Sequence, residues 1–187
     1  KTKTIKDAKI KIPEVSFKDL KGKDVMLSKV LEGSDYWTNG RKRNGADTWI
    51  VSHSGIEKLA KVGGIAKPID TKFVIEVFPT YENSMNHQVR ADMLCRSKLN
   101  KNAMCVHESS YTFSSTGEAS RYNTNSRGGS YMRIMAEKRA YDRGVLQHLD
   151  LSGKINIYSE DEAESFEQEK MKPIDQVIEK LAPILNQ

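Results

Sequence analysis

The segment from Tyr36 to Arg43, YWTNGRKR, puts two aromatic rings, Tyr36 and Trp37, beside three cations, Arg41, Lys42 and Arg43. Single-stranded nucleic acid offers the matching groups: free base faces stack on aromatic rings, and phosphates meet Lys and Arg. Two further basic segments follow. Arg90, Arg96, Lys98 and Lys101 form one, and Arg121, Arg127, Lys138, Arg139 and Arg143 form the other. Separate basic elements suit a groove that tracks a backbone. No helix-turn-helix or zinc-finger spacing argues for reading duplex sequence. The competing reading of Trp37 is a packing indole on a surface loop.

Other chemistries are less well supplied. No Gly-x-x-x-x-Gly-Lys-Ser/Thr segment is present to cradle a nucleotide. Gly128-Gly129-Ser130 before a helix is the nearest phosphate-holding turn, and such a pair is more often only a turn. His53, His87, His107 and His148 lack the spacing of a metal site, and His107 beside Cys105 reads as a strand-face packing pair. No metal or other cofactor is expected. Asp70, Glu76 and Asp92 are the candidate carboxylates for a small Mg²⁺-dependent nuclease, but Glu76-Val77-Phe78 lacks the lysine of the usual strand motif. No serine sits in Gly-x-Ser-x-Gly. The expectation is a binding protein, not an enzyme.

Charge points the same way. The chain of 187 residues carries a net +5, but residues 160–187 hold −5, which leaves +10 on the rest. A basic body with an acidic tail suits a polyanionic partner. No apolar run is long enough for a membrane span, and no signal-like apolar stretch opens the chain. A cytoplasmic protein is expected. The chain begins with Lys, which reads as a trimmed or processed start. Cys95 and Cys105 stand equidistant from Asn100 and could face each other across a hairpin; two reduced thiols are expected there.

These residues need elements to hold them. Residues 1–24 read as an arm, 25–158 as the core, and 159–187 as an acidic linker with a terminal amphipathic helix. Val25–Leu31 reads as a short helix and Gly33–Asp47 as a loop. Thr48–Val51 reads as a strand. Ser54 then starts a helix, with Glu57 completing a capping box and Gly63-Gly64 stopping it. Lys72–Phe78 is a strand ended by Pro79. Gln88–Arg96 alternates, with Val89, Ala91, Met93 and Cys95 on one face and Leu94 as the exception. SKLNKNA turns the chain into a strand over Met104–Phe113. A polar loop from Ser114 leads into a helix reaching Leu149, and Leu151–Tyr158 reads as a last strand. On that helix Met132, Met135, Ala136, Ala140 and Leu146 share a face, with Arg139 and Arg143 inside it. Such arginines either line a groove floor against phosphate or pair with buried carboxylates and snorkel outward.

Ala46–Ile65, ADTWIVSHSGIEKLAKVGGI, resembles the strand-then-helix segment opening the core of the Rad-type single-strand annealing proteins, a superfamily that includes the Erf and Sak types of phage recombinase. A hairpin, the segment Gly117-Glu118-Ala119 and a helix containing Lys138-Arg139-Ala140 follow in the family's order, so the resemblance spans roughly 25–149. It implies an α+β fold: a curved antiparallel sheet with a β-hairpin core, packed against a long helix. It also implies an oligomeric ring or filament that binds single-stranded DNA and anneals complementary strands in recombination and repair, without ATP. Lys138 and Arg139 match the family's helix cations; Arg143 stands one place from its next basic position, and Arg41, Lys42 and Arg43 match a basic loop loosely. The acidic C-terminal segment then suits docking of other recombination proteins. A phage origin would place the protein in the bacterial host cytoplasm. A non-annealing nucleic-acid-binding scaffold is the other alternative.

Overall fold

The structure is a computed structural model that describes residues 11–43, 45–79, 85–97, 111–120, 124 and 131–163. Among the described residues, eight strands and three α-helices follow one another in a mixed α+β arrangement. β1 (Ser16–Lys18) and β2 (Asp24–Met26) form a small antiparallel pair. A 3-10 turn, Leu27–Lys29, follows β2, so the expected helix over Val25–Leu31 is split between a strand and a tight turn. Leu27 is fully buried by that turn.

A three-stranded sheet comes next. β3 (Tyr36–Arg43) runs antiparallel to β4 (Ala46–Val51), and β8 (Ile157–Ser159) joins β4 in parallel. The expected loop over Gly33–Asp47 is therefore mostly strand. The pairing of Arg43 with Ala46 leaves two turn positions, and Gly45 takes φ +80°. Asn-Gly in a two-residue connection is a strong hairpin signal, because both positions favour positive φ. Gly40 (φ +71°) sits in an irregularity between Thr38 and Lys42.

α1 (His53–Val62) is capped two residues earlier than the Ser54 reading placed it. The Ser52 side chain accepts from the Gly55 amide at 3.1 Å. Gly63 follows as the C-cap, and Gly64 (φ +70°) turns the chain. Ile56, Leu59 and Ala60 are buried, as their spacing required.

The second sheet is antiparallel: β5 (Asp70–Pro79), β6 (Met85–Ser97) and β7 (Tyr111–Ser120), in that order. Ala91, Met93 and Cys95 of β6 face inward, and Leu94 points outward and is 37% exposed. Cys95 pairs with Phe113, so the symmetric hairpin that would set it opposite Cys105 does not form. The thiol is free and buried, which pushes its pKa up to about 11. β7 also overturns the loop expected from Ser114, since Ser114–Ser120 are paired with β6 throughout. Small residues there have a packing reason. Ser115, Gly117 and Ala119 are buried on one face of β7, and a long helix lies against them.

That helix is α2 (Met132–His148), the spine of the molecule. Its first half closes a cluster with Ala91, Met93, Cys95 and Ala119, and its second half joins the larger cluster built on Phe17, Trp49, Ile56 and Leu59. The strand expected over Leu151–Tyr158 is in fact a short helix, α3 (Leu151–Lys154), followed by β8. Asp150 at φ 58° turns the chain between α2 and α3. Residues 160–163, expected as linker, are helical. The terminal amphipathic helix, the turn SKLNKNA after Ser97, and residues 1–10 lie outside the described residues. None of the described helices is long and apolar enough to cross a membrane.

Candidate nucleic-acid interface

The β3–β4 pair carries the aromatic and basic residues in strand order. Tyr36 lies opposite Val51 and tilts toward Trp49, with ring centroids 6.0 Å apart, so its ring serves the core. Trp37 alternates to the other face. It stands beside Ile50, which in turn stands beside Tyr158 of β8, so one row crosses the outer face of the sheet. Ile50 is fully buried, whereas Trp37 is 39% exposed. β8 accompanies β4 only from Trp49 onward, so beyond it β3 and β4 continue as a two-stranded ribbon through Lys42↔Asp47 and Arg43↔Ala46. Three residues of β3 face one of β4 at the bulge, which re-aims the strand between the indole and the cations. Lys42 is exposed. Arg41 and Arg43 share the strand, but their side chains lie outside the description.

The cations of α2 have a different fate. Arg139 is 2% exposed. Its Nη1 donates to the Glu118 carbonyl at 2.7 Å and its Nε to the Asp161 carbonyl at 3.1 Å. Arg143 donates through Nη1 to the Thr116 carbonyl and through Nε to Glu162 Oε1, both at 2.7 Å. Lys138 Nζ lies 3.0 Å from Asp161 Oδ2. Burial pulls the Lys138 pKa down, but the hydrogen bond and charge of Asp161 outweigh it and leave it raised. Of the two readings open for these arginines, burial and pairing describes Arg139: it and Arg143 pin the outer edge of β7 to the helical turn after β8, and Arg143 keeps 36% of its side chain exposed. The buried Arg139 meets two carbonyl acceptors, and the half-buried Arg143 meets one carbonyl and one carboxylate.

The hairpin cations are spread. Arg90 is half-buried with its Nε 3.1 Å from Asp92 Oδ1, and Thr116 Oγ1 also donates to that carboxylate at 3.2 Å. Arg96 is exposed near the end of β6. Arg133, not singled out above, lays its guanidinium 4.0 Å over the Phe73 ring. Lys98, Lys101, Arg121 and Arg127 lie outside the described residues, as does Gly128-Gly129-Ser130. Of the candidate nuclease carboxylates, Asp70 is exposed and Asp92 is engaged as above. Among the described residues no three His, Cys, Asp or Glu side chains cluster to hold a metal ion.

One pair escaped the sequence reading altogether. His53 Nδ1 lies 2.7 Å from Oδ1 of Asp142, whose side chain is fully buried. Burial pushes the Asp142 carboxyl up to about 6 despite the opposing pull of His53. The hydrogen bond to Asp142 raises the His53 pKa, and burial offsets only part of it. His53 also meets Tyr141 edge-on, at 6.2 Å between centroids, and burial pushes that phenol up to about 12. The partners are 89 positions apart, so no spacing rule reaches them. The only local signal is a carboxylate at 142 on the packed side of the helix, three residues after Arg139 and four before Leu146.

No protein-family model, no curated protein and no solved structure matches this chain.

Proposed function

We propose that the protein binds single-stranded DNA and anneals complementary strands without ATP, as a homo-oligomer serving homologous recombination. The observation that carries this reading is the β3–β4 ribbon: an exposed indole at Trp37, and beyond a bulge an exposed Lys42 in a run of three basic residues. A base stacks on the indole while the next phosphates meet the cations, a mode tolerant of sequence. The +10 carried by the first 159 residues supplies the long-range attraction. Annealing asks for no bond to be made or broken by the protein, only for phosphate repulsion to be lowered while base edges stay free.

Support for self-association comes from β5. Among the described residues it pairs on one side only, with β6, and it exposes Val74 and Ile75, the latter at 69%. A ten-residue edge strand with exposed apolar side chains is a template for another strand. The acidic segment after β8 is partly spent internally, through Asp161 and Glu162, so docking of other recombination proteins falls to residues beyond 163.

The test mixes complementary labelled oligonucleotides with the protein and no nucleotide, and follows duplex formation. Annealing should accelerate, and the affinity for single strands should fall steeply with salt. Flat salt dependence removes the electrostatic part of the reading. Binding without annealing leaves a scaffold, and a monomer by light scattering, with and without DNA, removes the oligomer.

A further inference from the structure

The two outer edges of the β5–β6–β7 sheet end differently. Along β7 the carbonyls of Thr116 and Glu118 point away from β6, and Arg143 and Arg139 hold them at 2.7 Å each. The same two arginines donate to Glu162 and to the Asp161 carbonyl, so the turn after β8 lies along this edge. The middle of the β7 edge is spent, and a covered edge takes no further strand. β5 has no such cover among the described residues. It pairs there with β6 alone, and its Val74 and Ile75 are 36% and 69% exposed. A second copy of this chain thus finds one open edge on the sheet, and it is the same edge on both copies.

We infer that β5 pairs antiparallel with β5 of a second copy about a two-fold axis at Val74, which joins two three-stranded sheets into one of six strands. The inference deepens the homo-oligomer part of the proposed function and rests on it. Symmetry restricts the register. Residues opposed across an antiparallel pair turn their backbone groups toward each other, and these alternate along a strand, so the axis passes through a residue and never between two. Within Lys72-Phe73-Val74-Ile75-Glu76 the possible axes differ in charge. An axis at Lys72 or at Glu76 opposes like charges. One at Phe73 or at Ile75 sets a charged residue against Val74. The axis at Val74 sets Lys72 against Glu76 twice and Phe73 against Ile75 twice. Opposite charges, and an aromatic with a β-branched residue, are the favourable cross-strand pairs. The faces agree as well. Phe73 and Ile75 stand beside Ala91 and Val89 of β6, on the side that α2 covers, and a two-fold perpendicular to the sheet keeps both α2 helices on that side. Ile75, which its own chain leaves bare, then lies next to Phe73 of the second copy. Both edges of the joined sheet are β7 edges closed by arginines, so growth through this sheet stops at two.

The test is charge exchange, read by analytical ultracentrifugation of the full chain with and without a thymidine 30-mer. Wild type should form dimers or multiples of dimers. Glu76→Lys, which faces Gln88 within its own sheet, should weaken the dimer about tenfold or more, because symmetry opposes the like charges twice. Lys72→Glu should do the same, and the two substitutions together should restore the dimer. Lys72 also faces Asp92 of β6, so thermal melting accompanies each variant. Ile75→Asp, at a bare side chain, should dissociate the dimer with the melting temperature of the monomer unchanged. A dimer unmoved by Glu76→Lys or by Ile75→Asp overturns the inference and leaves the homo-oligomer reading in place. A wild-type protein that stays monomeric with and without the 30-mer overturns both. Dimers that respond as expected but bind no 30-mer support the β5 pairing and remove the nucleic-acid reading alone.

Discussion

Gly117 of β7 lies against the backbone of Ala140 in α2, so closely that a Cβ on Gly117 would come 2.9 Å from the Ala140 Cα and closer still to the Ala136 carbonyl oxygen. One turn on, Gly144 makes room for side chains of β7, with a Cβ there 2.9 Å from that of Ser115. Helix and sheet therefore meet backbone to backbone. That approach brings the Glu118 and Thr116 carbonyls within reach of Arg139 and Arg143.

Gly117→Ala is expected to destabilise the protein by about 2–3 kcal/mol, since rigid backbone atoms would have to move. A fall in urea midpoint with an unchanged slope checks this. A stability equal to wild type would mean that helix and sheet are further apart than described. Gly22→Ala, where a Cβ meets open space, is a poor control because Gly22 holds φ +76°. Gly33→Ala, with open space and no such angle, is the better one.

Arg139→Met removes a buried cation and strands two carbonyl acceptors. It should cost about 3 kcal/mol, within the range for breaking buried charged networks. At temperatures where the variant stays folded, its affinity for a thymidine 30-mer should match wild type within about twofold. A large loss of affinity with unchanged melting temperature would restore the DNA-facing reading of this residue.

Trp37→Ala should leave the melting temperature nearly unchanged and weaken single-strand binding by about 5-fold or more, the worth of one stacked base. Lys42→Ala should weaken binding similarly across sequences and lower the salt slope by about 0.7. Fluorescence anisotropy across a salt series reads both. A Trp37→Ala protein that unfolds readily would make the indole a core residue.

The His53–Asp142 pair gives a pH signature. Both folded pKa values are raised, so the folded state holds these protons more tightly than the unfolded chain. The stability they contribute is fully present below the ordinary carboxyl value of 3.8 for Asp142 and 6.5 for His53. It is lost as pH rises through about 6 for Asp142, and then through the raised value of His53. Asp35 acts oppositely: burial raises its carboxyl, but the bonds from Lys58 and the Glu32 amide outweigh that and leave it lowered, so its contribution fades in acid. Unfolding free energies of wild type and Asp142→Asn, measured from about pH 4 to pH 8, isolate the pair. The difference, wild type minus variant, should shrink as pH rises. A difference independent of pH would mean that the two side chains do not titrate together.

Periodicity alone determined the elements whose burial is one-sided. Alternation placed Ala91, Met93 and Cys95 on the inner face of β6, and 3.6-residue spacing found the buried face of α1. The same spacing put Arg139 on the packed face of α2, where it is. What it could not supply was the acceptor, because the carbonyls of Glu118 and Asp161 lie 21 and 22 positions away on other elements. Glycine misled for a related reason. At 40 and 117 it read as loop, whereas Gly40 serves a bulge and Gly117 a close backbone approach, both within strands.

The chain by itself thus determined an alternating strand, a long helix, a basic body and an aromatic–cation segment, because these are properties of local pattern and composition; that the helix packs on an antiparallel sheet is what the resemblance implied. Only the tertiary structure decided which cations are spent holding strands together, which indole stays in solvent, and that His53 meets Asp142. Those outcomes depend on distances between residues far apart in sequence, and such distances exist only once β7, α2 and the turn after β8 have closed on one another.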